Sequence, residues 1–325
     1  MIRYTVKRLL LMIPILIGVI VIVFTINYFS TGSPAMAILG GSATPENIAA
    51  VEHEWGLDRP YFVQLGEYLV NVFTKFDLGV SYSFKRPVME LIGERIGVTV
   101  LLGLLGVAFA VLLGIPLGII SATRQYSVFD YVATTFAVVL AAIPSFWLAL
   151  MLMLLFSVQL GWLPVSGLDT WRNWILPVVS VGAFPVAMIT RMTRSSMLEV
   201  IRQDYIRTAK AKGLGSGVII FRHALRNGMI PVTSSIGLMT GLAVTGTIII
   251  ETIFNIPGLG TLMNNSISKY DYTLTQGIVL ICALLICGTN LITDLVYALI
   301  DPRIRAQYTA RKPIFKRRKS GVEGG

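Results

Sequence analysis

The sequence predicts an all-α integral membrane protein with six transmembrane helices, both ends on the cytoplasmic side, and a large external segment between spans 1 and 2. Three observations predict it. Of the 325 residues, 54% are hydrophobic and only 14% charged, with a mean hydropathy of +0.73, whereas a soluble domain carries about a quarter charged residues. Six apolar stretches approach the roughly 20 residues needed to cross a bilayer core. Lys and Arg are also shared very unevenly between the connections.

The expected spans are 9–29, 98–120, 131–157, 174–190, 231–253 and 276–300. The fourth is the shortest and contains Pro177 and Pro185. With residues 1–8 in the cytoplasm, the inner connections and a basic tail at 301–325 hold 20 of the 27 Lys and Arg residues, the outer ones 7, and no span holds any. Positive charge stays inside, so both ends are cytoplasmic. The net charge of +10 thus reads as a topology signal around a lipid bilayer, and no nucleic-acid partner is expected. The first apolar run, at about 20 residues, exceeds the 7–15 of a signal peptide core. It is read as a retained span, although Ala35-Met36-Ala37 offers a cleavage-like A-x-A.

The external segment 30–97 carries eight acids and five bases and shows its own order. Thr44 is placed to cap a helix over 45–55, with Pro45 at its first position and Glu46 at its positive end. A second helix is expected over 61–73. The segment is read as a packed lid on the membrane domain that can also serve as a docking surface for an extracytoplasmic partner.

The loop 191–230 is basic and regular. Val200, Ile201, Tyr205, Thr208 and Ala209 recur near helical spacing, Gly213, Gly215 and Gly217 break the run, and a second helical stretch over 218–226 leads to Pro231. Two readings fit: an interfacial helix among anionic headgroups, or a rigid knob for a cytoplasmic partner, with small Ala209, Ala211 and Gly213 permitting close approach and the bases supplying charge complementarity.

Chemistry-bearing motifs are scarce. The sequence has no G-x-x-x-x-G-K-[ST] phosphate loop, no H-E-x-x-H and no G-x-S-x-G, so no catalytic residue is assigned and ATP hydrolysis by this chain is not expected. His53 and His223 lack neighbouring ligands at metal spacing, so no metal is expected. Cys282 and Cys287 rise about 7.5 Å apart along a helix, too far for a relaxed disulfide. Only Glu251 and Asp294 are carboxylates near membrane depth; Asp294 is expected to face cytoplasmic bases or the bundle interior, and Glu251 is either structural or at the outer mouth of a pathway. Gly114-x-x-x-Gly118 and Gly237-x-x-x-Gly241 allow close helix approach, and Pro116 and Pro144 are candidate kinks.

Seven stretches, in order, resemble the ABC importer permeases of the dipeptide, oligopeptide and nickel group. They are GLDRPYFVQ at 56–64, DLGVSYSFKRPV at 77–88, IPSFW at 143–147, LGWLPVSG at 160–167, DYIRTAKAKGLGSGVIIFRHALRNGMIP at 204–231, ETIFNIPGLG at 251–260 and ALIDPRIR at 298–305. The longest is similar to that group's form of the EAA loop. The E-A-A positions read Arg207, Thr208 and Ala209, Gly213 takes the glycine, and the following proline lies further away than in the general pattern. That departure favours the peptide group and puts an acidic contact to an ATPase in doubt.

The resemblance implies a type I ABC importer permease fold, in the first, B-type member of a permease pair. It implies four kinds of partner: a second homologous permease, two cytoplasmic ATPases, an extracytoplasmic substrate-binding protein, and the bilayer of a bacterial or archaeal cytoplasmic membrane. ATP and Mg would sit on the ATPases, with no cofactor on this chain. Tyr205, Arg207, Thr208, Ala209, Lys212, Gly213 and Leu214 would couple to the ATPase. Phe146, Trp147, Met188 and Glu251 are candidate pathway residues from position alone. The implied function is half of an ATP-driven pathway for peptides or a related small solute. The competing expectations are a self-sufficient ion-coupled secondary transporter, which would need intramembrane charges and inverted repeats, and a membrane scaffold or receptor.

Overall fold

The computed structural model describes residues 2–30 and 32–300, and every extended element in it is a helix. The expected tail at 301–325 and most of the 298–305 motif lie outside the described residues. Helix α1 (Ile2–Tyr28) is followed by the external helices α2 (Pro34–Leu39), α3 (Pro45–Glu54) and α4 (Tyr61–Val70). The long α5 (Val88–Thr123) leads to α6 (Val128–Ala142) and α7 (Ser145–Leu152), then to α8 (Ile175–Ile201) and the short α9 (Asp204–Ala211). One turn, α10 (Ser216–Val218), runs through a wide π-type turn at Ile219–Ala224 into α11 (Leu225–Ile253); α12 (Leu259–Ser268) and α13 (Tyr272–Ile300) complete the bundle.

Among the described residues, five segments are long and apolar enough to cross a membrane: Arg8–Tyr28, Val88–Thr123, Trp171–Ile201, Ser216–Ile253 and Tyr272–Leu295. The pair Val128–Ala142 and Ser145–Gln159 makes a sixth if counted as one span, but it is bent by 103°. The sequence expected an unbroken stretch over 131–157, kinked at Pro144. The bend is sharper than a kink because Pro144 lacks an N–H and forces Ile143 out of the helical region, to φ −81° and ψ 125°. Pro116 and Pro231, by contrast, lie inside unbroken α5 and α11.

The fourth span also needs correction. It does not stop at residue 190: α8 continues to Ile201, so Val200 and Ile201 belong to the span helix rather than to the amphipathic helix of the loop. Polar residues on the buried face hide this continuation in the sequence. Thr193 and Ser196 are buried in the bundle while Arg191 and Glu199 are exposed, so the helix remains amphipathic after its apolar run ends.

Helices α5 and α8 share the most extensive contact, and small residues make it possible. A Cβ at Gly106 would stand 2.6 Å from Val181 Cγ1, and one at Gly118 would stand 2.7 Å from the Thr190 carbonyl. Ala110 and Gly114 continue the same stripe, one residue per turn, against Val186 and Ile189. Across α11 and α13, Gly237 packs directly on Thr293. These are close approaches of the kind small residues permit in membranes.

The external segment folds as its caps direct. Thr44 Oγ1 accepts from the Asn47 N–H at 3.3 Å with Pro45 next in line, as the capping pattern requires. Helix α4 ends at Val70 and passes into a π-type turn over Asn71–Lys75, so the expected 61–73 helix changes its winding before its end. The rings of Phe24, Tyr28 and Tyr61 join α1 to α4, and the Tyr61 hydroxyl pairs with Thr25 Oγ1 at 2.7 Å. Further along, buried Asp271 accepts from Ser81 Oγ at 2.5 Å, the Ser83 N–H at 3.0 Å and the Leu274 N–H at 3.2 Å. The lid is thereby fastened to the start of α13. At the opposite end Arg8 pairs with Asp294 at 3.1 Å, so this carboxylate joins α1 to α13.

Candidate functional site

The site is built on α9. Helix α8 ends at Ile201, and Gln203, extended at φ −70° and ψ 150°, turns the chain. Asp204 occupies the first turn of α9 and Lys210 its last, each at the end of the helix dipole that favours its charge. The helix closes with the Lys212 N–H donating to the Thr208 carbonyl at 3.0 Å and the Gly213 N–H to the Lys210 carbonyl at 3.0 Å. Gly213 has φ +78°, the left-handed conformation in which glycine avoids a Cβ clash. Gly215 then starts the short α10.

One face of α9 is sealed. Ile206 and Ala209 are buried with Ala122 of α5, Met197 of α8, and Ile219 and Ala224 of the π-type turn. The opposite face is open: Arg207, Thr208, Lys210, Lys212 and Gly213 are exposed, as are the large side chains of Tyr205 and Leu214. The Tyr205 hydroxyl accepts from Asn227 Nδ2 at 2.8 Å, tying α9 to the start of α11. Arg207 approaches Asp204 at only 3.6 Å, with both side chains well exposed, a pair of small energetic weight. Six of the seven expected coupling residues therefore share the exposed side or tip of one rigid helix. Ala209 is the exception: at 7% exposure it approaches the bundle rather than a partner.

A second feature next to this helix was not read from the sequence. Asp130, nearly buried at the start of α6, accepts from Ser121 Oγ at 2.5 Å, Arg194 Nε at 2.8 Å, Arg194 Nη2 at 3.0 Å and the Tyr126 N–H at 3.0 Å. It ties the end of α5, the start of α6 and the last turns of α8 together. The one signal available was an acid opening an otherwise apolar stretch at 128–142.

The pathway candidates do not form one wall. Phe146 and Trp147 are adjacent on α7, each 46% exposed. Met188 is half-buried on α8, where its sulfur lies 2.7 Å from Arg191 Nη2. Glu251 has no exposed surface; its Oε2 accepts from the Gly260 N–H at 2.6 Å and its carbonyl from the Ile256 N–H at 2.8 Å. It braces the turn between α11 and α12 through Oε2, while its Oε1 is buried without a hydrogen-bond partner. Two cavities, one between residues 24–82 and the start of α13 and one beside the C-terminal turns of α8, are lined by other residues. Among the described residues no group of His, Cys, Asp or Glu is arranged to hold a metal.

Comparison with known proteins agrees with this arrangement. Residues 114–306 match the family described as binding-protein-dependent transport system inner membrane component, and residues 1–103 match that family's N-terminal part. A dipeptide transport system permease protein of Alkalihalophilus pseudofirmus is 42% identical over 94% of this chain and all of its own length. A glutathione transport system permease protein of Salmonella choleraesuis is 41% identical over 94% of this chain and 99% of its own. In fold, the chain is similar to the MetNI methionine ABC transporter in an inward-facing conformation, with a TM-score of 0.57 at 16% identity over 66% of this chain and 97% of that one. On these matches, and with a bundle of five long apolar helices and one bent pair, this chain belongs to the inner membrane permease components of binding-protein-dependent ABC importers.

Proposed function

We propose that the chain forms half of the translocation pathway of a peptide importer, pairing with a second related permease and taking its energy from two cytoplasmic ATPases through α9. The support for coupling is mechanical. Helix α9 is set off by breaks at both ends, buried by Ile206 and Ala209 on the ends of α5 and α8, and open on its basic side. A knob of that kind can enter a partner's cleft and still transmit displacement to the spans. ATP, bound preferentially by the closed ATPase pair, would draw two such knobs together and shift the permease pair between its inward- and outward-facing states. The substrate class rests on the relatives, whose names specify dipeptides and glutathione.

The test uses the assembled complex. Leu214→Asp and Gly213→Trp are expected to abolish ATPase recovery on co-purification and ATP-driven peptide uptake by proteoliposomes, with thermal melting of the permease preserved. Full recovery and uptake in both variants would exclude α9 as the coupling element. Uptake by the chain alone under an ion gradient would instead support a secondary transporter.

A further inference from the structure

Helix α4 and the π-type turn that follows it, Asn71–Lys75, present three faces. One packs inward: Leu65, Tyr68, Leu69 and Val72 join the cluster that holds Leu16 and Ile20 of α1 and Leu274 of α13. A second is polar. Gln64 Nε2 donates to the Leu57 and Arg59 carbonyls at 3.0 and 2.8 Å, and Glu67 pairs with Arg59 at 2.9 Å. The third is apolar and open: Phe62, Val63, Val70 and Phe73 are all exposed, Phe62 by 82%. Phe62, Val70 and Phe73 stand at i, i+8 and i+11, so they share one side of the helix. A surface helix needs an apolar face toward its core and a polar face toward water. Helix α4 has both already, and its third face is surplus to the fold. Large apolar side chains exposed singly are ordinary, whereas a contiguous row marks a surface that meets something other than water.

Contacts with α1 fix the height of this face. The Tyr61 hydroxyl pairs with Thr25 Oγ1, one turn before the end of the Arg8–Tyr28 span, or about 4.5 Å along its axis. Tyr68, two turns on, still lies against Phe24, with ring centroids 6.3 Å apart. Over this length α4 therefore stays level with the end of the span and does not rise beyond it. Interfacial helices set their apolar side about 5–10 Å into the boundary between headgroups and acyl chains, which is this height. The open face is also continuous with that of the span. Ile22, Ile26 and Phe29 are exposed along α1, the Phe29 ring stacks on Tyr61 at 6.3 Å, and Tyr61 adjoins Phe62 at 5.1 Å. Aromatic side chains gather where a span meets the interface. At the far end Phe76 closes the turn at φ +54°, a backbone that glycine adopts at least cost, yet its ring is 81% exposed. A ring at that position is a burden in water and an anchor at a bilayer boundary.

We propose that α4 is an interfacial membrane helix, with Phe62, Val70 and Phe73 set among the acyl chains of the leaflet at the C-terminal end of α1. Gln64 and Glu67 then face the headgroups and water, and the segment between α1 and α5 is pinned to the bilayer by one side of a single helix. The inference does not depend on α9 as the coupling element. A second permease or the substrate-binding protein could cover the same face, but the latter would have to enter the headgroup layer to reach it.

The experiment is photo-crosslinking of the assembled transporter in dioleoylphosphatidylcholine vesicles. The photoreactive p-benzoylphenylalanine replaces Phe62, Phe73 or, as the control on the polar face, Glu67. It keeps an aromatic ring at 62 and 73, the Glu67 ion pair is exposed and of small weight, and melting curves check that each variant is folded. Irradiation is expected to give phosphatidylcholine adducts of the permease at 62 and 73, read by intact mass, at several-fold the yield at 67. Excess substrate-binding protein should leave those yields unchanged. Three results would overturn the proposal: adducts at 62 and 73 to the second permease or the binding protein in place of lipid, loss of the lipid adducts when binding protein is added, or lipid yields at 62 and 73 no higher than at 67.

Discussion

Arg194 grips Asp130 through two nitrogens and both carboxylate oxygens, Nε to Oδ1 at 2.8 Å and Nη2 to Oδ2 at 3.0 Å, across 64 residues of sequence. The carboxylate is 5% exposed and the guanidinium 29%. Removing one partner leaves a desolvated charge, which costs more than the pair itself contributes. Asp130→Asn or Arg194→Gln should each destabilise the permease by about 1–3 kcal/mol, reduced from the fully buried case because Arg194 remains partly solvated. The double variant should cost less than the sum, and a double-mutant cycle on detergent melting curves measures the difference. Additive losses would mean that the two residues act independently.

The two glycines of Gly237-x-x-x-Gly241 should behave differently. An added Cβ at Gly237 collides with Thr293, whereas at Gly241 the nearest atom, Asn290 Oδ1, lies at an ordinary 3.5 Å. Gly237→Ala should lower stability by about 1–3 kcal/mol through overpacking, with Gly241→Ala within about 0.5 kcal/mol of the wild type. Thermal melting of the two variants side by side reads the contrast.

Gly213→Ala tests backbone strain alone, because no atom lies within 4 Å of the added Cβ. The left-handed φ of +78° should cost about 1–2 kcal/mol. That cost should be confined to the tip of α9 and read as faster amide exchange there, with the exchange of α5 and α8 unchanged.

Asp271 holds the external segment by two hydrogen bonds, from Ser81 Oγ and the Ser83 N–H, and caps its own helix with a third from the Leu274 N–H. Asp271→Ala should free those donors at a cost of about 2–3 kcal/mol. The local consequence should be faster proteolysis between residues 77 and 87 in right-side-out vesicles. Unchanged cleavage would show that other contacts secure the lid.

Apolar run length made the membrane class and five long helices legible, with the bent pair α6–α7 as a sixth if counted as one span, and Thr44-Pro45-Glu46 made the start of α3 legible. The inner end of α8 was not, because its last three turns mix exposed Arg191 and Glu199 with buried Thr193 and Ser196, a pattern that a search for apolar length discards. Ile143-Pro144 announced a kink, but not that the extended Ile143 would open it to 103°. The buried face of α9 was not legible in periodicity: of the repeating residues Tyr205, Thr208 and Ala209 only Ala209 is buried, and its companion is Ile206, one position beyond Tyr205. Asp130 and Arg194 could not be paired by inspection, since their meeting requires three helices to be in place.

The sealed face of α9 leaves no slack beneath it. Ile206 and Ala209 rest on Ala122 and Met197, side chains at the very ends of α5 and α8, and those two helices are locked backbone to backbone by Gly106 and Gly118 further up. A thrust delivered to α9 therefore loads both helices as a single strut, and the strut must swing as a whole before either member can bend alone.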